Sequence, residues 1–195
     1  MRNVEKHLPQ GYKEIGHGDF SKVSTGGFLE DLKTVLPGLI LIVAGCVVVR
    51  PNWMQCLFSL LTFAVCVYPY FSLHEMTHAV VYMAASGEKA KVRFVKGGAY
   101  CALPDLYVYG RTAIACTAAP LVVFSALFAA LSVWFLFLGH WLVLPASALL
   151  AFHLLGCRSD VHLLKEIHKI RDARLLVLDR GNEQWLYMPN EIRES

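Results

Sequence analysis

The chain has 195 residues, of which 56% are hydrophobic and only 17% are charged, and its formal net charge is +3. In soluble domains about a quarter of the residues are charged, so this composition and a mean hydropathy of +0.47 are typical of a membrane protein. The positive charges form no basic stripe and accompany no nucleic-acid-binding motif, so we expect neither DNA nor RNA as a partner.

Residues 1–33 are polar, and we expect a cytoplasmic leader with one short helix near residues 28–33. No short apolar segment follows the initial methionine, so we expect no cleavable signal peptide. The first apolar run covers residues 35–49, which is short for a membrane span, and the residues before it could extend the helix.

The second apolar run begins at Trp53 and continues to about residue 85. It is longer than the roughly 20 residues that cross a bilayer, and Pro69 could kink it. Two further spans are predicted at residues 112–138 and 141–156. Only two residues separate their cores, which indicates a tight helical hairpin.

The segments between and after these runs have a β pattern. Strands are predicted at residues 92–95 and 106–109 of the polar loop 86–110. After an amphipathic segment at 163–170, the tail is predicted to form a hairpin whose strands are 175–178 and 185–188. The turn reads Asp179-Arg180-Gly181-Asn182.

The predicted fold class is therefore an all-α integral membrane protein with about four transmembrane helices and small β-hairpin elements in the cytoplasmic loop and tail. We expect three segments: the leader 1–33, a membrane domain 34–165 that includes the loop 86–110, and a cytoplasmic tail 166–195. Every Lys and Arg except Arg50 lies in the leader, between Lys89 and Arg111 after the second span, or between Arg158 and Arg193 after the fourth. This distribution predicts a multi-pass cell-membrane protein with both termini in the cytoplasm.

Residues 74–78 read HEMTH, an HExxH sequence, and they lie in the later half of the second predicted span. On a helix, His74 and His78 share one face with about 6 Å between their Cβ atoms, a spacing at which two imidazoles can bind one zinc ion. Glu75 between them can reach a metal-bound water as a general base. Histidine and glutamate are unfavourable in a bilayer and are rarely found there without a function.

A catalytic zinc site usually has three protein ligands, so the motif needs one more. The candidates outside the motif are Glu88, Asp105, His140, His153, Asp160, His162 and the residues of the tail. Asp160 lies where the fourth span leaves the membrane, on the side of the motif, which makes it the preferred third ligand. The alternative for Asp160 is a helix N-cap.

His153 lies deeper on the fourth span, seven residues before Asp160 on what would be the same helix face, and about 10 Å away along the axis. The two therefore cannot easily bind the same ion. For His153 we expect a hydrogen bond to neighbouring backbone, with support of a ligand histidine as an alternative. His162 lies about 200° around the helix from Asp160 and should not face the site. With His7, His17 and His168, it is expected to be exposed to solvent.

None of the six cysteines forms a CxxC pair. Most lie in apolar runs, where cysteine acts as a small hydrophobic residue. Cys101 is the exception, because it lies in the polar loop and could be a free thiol.

Four segments within residues 65–188 carry a family resemblance. They are LHEMTHA at residues 73–79, GGAYC at 97–101, AAPL at 118–121 and GCRSDV at 156–161. In these the chain resembles the zincin peptidases, a family of small bacterial integral membrane proteins similar in logic to site-2 proteases. The resemblance implies a zinc-dependent membrane hydrolase in which Asp160 matches the aspartate after the fourth span.

The sequence thus predicts a membrane-embedded zinc metalloprotease in which His74, His78 and Asp160 bind Zn²⁺ and Glu75 is the catalytic base. Its expected partners are the lipid bilayer and a protein or peptide substrate, which the loop 92–109 would hold by edge pairing. The alternative is a metal-binding membrane protein without proteolytic activity, such as a pseudoprotease that binds partners. A pure binder has no need of Glu75, so its presence favours hydrolysis. A third hypothesis, a coincidental polar patch, would leave ionisable groups unpaired in the membrane.

Overall fold

The computed structural model describes residues 4–19, 28–95, 98–102, 106–180 and 183–190. Within these residues the chain forms five helices and seven strands. The helices are α1 (Phe28–Val49), α2 (Trp53–Ser86), α3 (Gly110–Phe137), α4 (Val143–Gly156) and α5 (Arg158–Ile170). The strands are β1 (Val4–Glu5), β2 (Tyr12–Asp19), β3 (Lys91–Val95), β4 (Gly98–Ala102), β5 (Tyr107–Tyr109), β6 (Leu176–Asp179) and β7 (Glu183–Pro189).

Three of the helices, α1, α2 and α3, are long and apolar enough to cross a membrane. Many of their large apolar side chains are exposed, for example Val65 at 72%, as expected for side chains that face lipid. The fourth predicted span, α4, has only 14 residues. At 1.5 Å per residue it is about 21 Å long, less than the roughly 30 Å of a hydrocarbon core. The prediction of about four spans is therefore confirmed by length for three helices only.

The helix boundaries follow local signals. α1 begins at Phe28 and includes the residues that were predicted as a separate short helix, which gives the first span its length. Asn52 and Gln55 then cap α2 reciprocally, since each side chain accepts a hydrogen bond of 3.0 Å from the other's backbone N–H. Gly139, with φ +62°, makes the predicted tight turn between α3 and α4.

The chain divides into two compact units. One contains residues 1–23, 75–119 and 159–195, and the other contains residues 24–74 and 120–158. The boundary within α2 falls between His74 and Glu75, inside a continuous helix.

The second of these units is helical. A Cβ atom on Gly38 of α1 would lie 2.7 Å from the Cβ of Ala151 and 2.8 Å from the Ser147 carbonyl oxygen, both on α4. Only glycine therefore permits this approach of the two helices. The core of the unit is a cluster of buried side chains, namely Tyr70, Phe124, Phe128, Leu149 and Leu150.

The first unit is built on an antiparallel five-stranded sheet with the order β1-β5-β6-β7-β2. The predicted tail hairpin is confirmed, with Leu178 paired with Trp185, while Gly181 and Asn182 of its turn lie outside the described residues. The leader, for which only a short helix was predicted, supplies β1 and β2. Its strands escape local pattern analysis because their partners, β5 and β7, lie far away in sequence.

The glycine contact between α1 and α4 gives a testable prediction. Gly38→Ala should destabilise the protein by about 1–3 kcal/mol, because the added methyl group meets backbone atoms that cannot move aside. Gly156→Ala is the matched control, since a Cβ there meets nothing within 4 Å. Thermal unfolding in detergent should show a lower midpoint for Gly38→Ala than for Gly156→Ala. Equal midpoints would contradict the close helix contact.

Candidate metal centre

The HExxH residues lie on α2, as predicted, in the second half of the helix. His74 and His78 are buried, with 8% and 9% of their surface exposed, and Glu75 is half-buried. One helical turn separates the two histidines, so both imidazoles project from the same face of α2.

The hydrogen bond of His78 determines its tautomer. The Nδ1 atom lies 2.9 Å from the carbonyl oxygen of Cys116, which can only accept, so Nδ1 carries the proton and donates. In a neutral ring the other nitrogen then has the lone pair. This Nε2 atom lies 3.8 Å from Oδ1 of Asp160. The imidazole thus presents its metal-binding nitrogen on the side of the carboxylate.

Asp160 reaches this position from α5. The predicted single helix through His153 and Asp160 is wrong, because α4 ends at Gly156, Cys157 leaves the helical conformation at ψ 10°, and α5 begins at Arg158. Asp160 is the third residue of α5, so the N-cap alternative is wrong as well. In the first turn its carboxylate interacts favourably with the helix dipole.

An imidazole and a carboxylate come together in the first unit, where Nε2 of His78 lies 3.8 Å from Oδ1 of Asp160. His74 is the other histidine that could join them as a metal ligand. The place of His74 in this group follows from α2 itself, since it precedes His78 by one turn of an unbroken helix. Two nitrogens and one oxygen form a donor set that zinc accepts, so the residues fit the metal that the motif predicts.

His153 contributes to a second, fully buried group with His74 and Cys157. Both nitrogens of His153 have other contacts: Nδ1 lies 2.7 Å from the Tyr70 hydroxyl, and Nε2 lies 3.4 Å from the Leu121 carbonyl oxygen. The expected hydrogen bond to neighbouring backbone is therefore present. Tyr70 also lies 3.3 Å from Nδ1 of His74.

The remaining candidates for a third ligand lie elsewhere or are exposed. Glu88 pairs with Lys6 at 2.9 Å, and His140 is exposed in the turn between α3 and α4. His162 is exposed and lines a cavity of about 220 Å³ together with His17. The exposure predicted for His7, His17, His162 and His168 is confirmed. Asp105 lies outside the described residues.

Sequence reasoning missed two tyrosines on α2. Tyr70 precedes His74 by four residues, and Tyr82 follows His78 by four, so all four side chains form one polar row along the helix. Tyr82 is buried and donates a hydrogen bond of 3.1 Å to Oδ2 of buried Asp179. The spacing of four residues between each tyrosine and the nearer histidine could have indicated in the sequence that they share a helix face.

Cys101 is a free cysteine, but it lies in β4 with 6% of its surface exposed. Burial, and then the charges of Asp179 and Glu75, raise the pKa of its thiol to about 12. A strand within the polar loop has therefore buried this thiol. None of the other five cysteines forms a disulfide.

The chain was compared with models of known protein families. The model of a family described as "Putative zincin peptidase" matches residues 67–173, which is more than half of the chain. This range includes Tyr70, the HExxH motif, His153 and Asp160. No curated protein and no solved structure matches the chain.

The ligand group predicts how metal content responds to substitution. Asp160→Ala should reduce zinc in the purified, detergent-solubilised protein from near one ion per chain to a small fraction, because a site with two imidazoles binds weakly. His162→Ala, on the opposite side of the same helix, is the matched control and should keep its zinc. Mass spectrometry of the metal content tests both variants. Full zinc in Asp160→Ala would exclude this carboxylate as a ligand.

The buried thiol gives a second prediction. In the folded protein, alkylation of Cys101 should be slow between about pH 7 and pH 9, because a thiol with a pKa of about 12 forms almost no thiolate there. Denaturation should restore fast alkylation. Peptide mass spectrometry after treatment with iodoacetamide measures the modification. Rapid labelling of folded protein would contradict the burial of Cys101.

Proposed function

The chain belongs to the zincin peptidase family, and on this premise we propose that it is a zinc-dependent peptidase embedded in a membrane. The observation that carries the proposal is the arrangement around α2. A glutamate lies between two histidines of one helical face, and the Nε2 atom of His78 is directed towards a carboxylate. A site that only stores metal requires no glutamate at this position.

The proposed roles of the residues follow from their chemistry. His74, His78 and Asp160 would hold the zinc ion, which when bound supplies a Lewis acid that polarises the scissile carbonyl group. Glu75 takes a proton from the attacking water and passes it to the departing amine. The site borders solvent at its acidic side, since the Asp160 side chain is 17% exposed, which supports access of water.

The sheet supports the proposed topology. Its five strands come from the leader, from the loop after α2 and from the tail, and strands of one sheet must lie in one compartment. The chain therefore returns to its starting side after α1 and α2 and again after α3 and α4. Since these three segments also hold nearly all Lys and Arg residues, we place them, and both termini, in the cytoplasm.

We propose that the substrate is a peptide in extended conformation. Within the loop 92–109 that was predicted to hold it, the strand β5 has no available edge, because β5 pairs with β1 on one side and with β6 on the other. Among the described residues, β3 and β4 pair only with each other. This hairpin precedes α3 and offers strand edges to which a substrate segment can add.

The proposal predicts that Glu75→Gln abolishes hydrolysis but keeps zinc, because the amide preserves the shape of the side chain and cannot accept the proton. The activity loss should be at least about 100-fold. Proteoliposomes containing the protein are incubated with a proteome-derived peptide library, and the cleaved products are identified by mass spectrometry.

Glu88→Gln, a change at an exposed ion pair, is the matched control and should leave cleavage unchanged. Cleavage retained in Glu75→Gln would exclude Glu75 as the base. Wild-type protein that binds zinc and cleaves nothing would instead favour the metal-binding protein without proteolytic activity.

A further inference from the structure

We propose that Tyr70 and His153 are positioning residues that hold His74 in the tautomer needed for metal binding. The inference rests on the proposed function insofar as His74 is a zinc ligand. It adds a hydrogen-bonded chain that runs from the Leu121 carbonyl through His153 and Tyr70 to His74, which we call the His153 relay.

The relay starts at a carbonyl group, which fixes its direction. The Leu121 oxygen can only accept, so the Nε2 atom of His153, 3.4 Å away, carries a proton and donates it. His153 is completely buried, where a charged imidazole would lack solvation, so the ring is neutral. Its Nδ1 atom is therefore an acceptor.

Tyr70 links His153 to His74, because its hydroxyl donates to one imidazole and accepts from the other. At 2.7 Å from Nδ1 of His153, the Tyr70 hydroxyl donates its single proton there. Its oxygen then accepts from Nδ1 of His74, at 3.3 Å. A neutral His74 with a proton on Nδ1 has its lone pair on Nε2. The relay thus selects the nitrogen with which His74 binds a metal.

The surroundings of the relay are apolar. The Phe124 ring stacks on His74 with a centroid distance of 6.2 Å and an interplanar angle of 20°, and the rings of Phe128 and Phe152 lie about Tyr70. Stacking on Phe124 fixes the plane of the His74 imidazole. It does not favour one orientation of the ring over the orientation rotated by 180° within that plane. Tyr70 is 5% exposed, so its hydroxyl has little access to water as an alternative partner. The hydrogen bonds of the relay therefore select the orientation of the His74 ring.

The two histidines of the motif then follow one rule. His78 donates from Nδ1 to the Cys116 carbonyl, and His74 donates from Nδ1 to the Tyr70 hydroxyl. Both consequently present Nε2. The Cys116 carbonyl alone fixes the tautomer of His78, because a carbonyl oxygen can only accept. The Tyr70 hydroxyl accepts from His74 only because it donates its own proton to His153.

The other use of these residues would be a metal site formed by His74, His153 and Cys157. It would require His153 to give up its 2.7 Å hydrogen bond to Tyr70 or its contact with Leu121. The relay uses both nitrogens and leaves Cys157 without a role in metal binding. Cys157 thereby distinguishes the two arrangements.

The first test is nuclear magnetic resonance of the metal-free protein in detergent micelles with ¹⁵N-labelled histidine. The ring-nitrogen shifts identify the tautomer of each histidine, and His74 is assigned from its missing signals in His74→Gln. We expect His74 as the Nδ1–H form in the wild type and a loss of this preference in Tyr70→Phe. Wild-type His74 in the Nε2–H form, or an unchanged tautomer in Tyr70→Phe, would overturn the proposal.

The second test is zinc affinity, measured by competition with a chelator. Tyr70→Phe should bind zinc about 10–100-fold more weakly, as is usual when a partner of a ligand histidine is removed. Cys157→Ala is the matched control and should bind as tightly as the wild type. A loss of zinc in Cys157→Ala would show that the group with His153 is the metal site and would overturn the relay.

These readouts separate the relay from the enzymatic activity. An inactive wild type with the expected tautomers and affinities would contradict the peptidase but not the relay. Cleavage that depends on Glu75, together with the wrong tautomer at His74, would contradict the relay alone.

Discussion

An imidazole buried among apolar helices has two nitrogens to satisfy and almost no water to satisfy them, and the site depends on how this constraint is met. At His78 a backbone carbonyl of α3 accepts from one nitrogen, and at His74 a tyrosine hydroxyl does so. In each case Nδ1 carries the proton of the neutral ring, so Nε2 has the lone pair that can bind a metal. The orientation of the His78 ring therefore depends on α3, which contributes no ligand to the proposed zinc ion, whereas that of the His74 ring depends on Tyr70 of the same helix and, through it, on His153 of α4.

The carboxylate of the site is positioned by a different part of the chain. Leu163 and Ile167 of α5 are buried in one cluster with Ala79 and Tyr82 of α2 and with Leu175 and Val177 around β6. This cluster holds the start of α5, and with it Asp160, beside the turn of α2 that carries His78. The sheet thus bears on the candidate metal centre, since buried residues of its strand β6 belong to the same cluster as the helix that carries the aspartate.

Most of the local features could be predicted from the sequence, and most of the long-range ones could not. The apolar runs and the HExxH spacing predicted α2 and its histidines because both are properties of a single helix. The break at Cys157 was missed, since no proline marks it. The strands of the leader were missed for another reason, as β2 pairs with β7 across most of the chain. Tyr70 was missed because a tyrosine in an aromatic run is usually a core residue.

The pairing of β2 with β7 also has a consequence for biosynthesis. Tyr12 is in register with Pro189, so the sheet cannot close until almost the whole chain has left the ribosome. α5, which carries Asp160, is made later in translation than α2, which carries His74, Glu75 and His78. On the proposed function, the ligand set is therefore incomplete until α5 has been made, and the peptidase would be inactive up to that point.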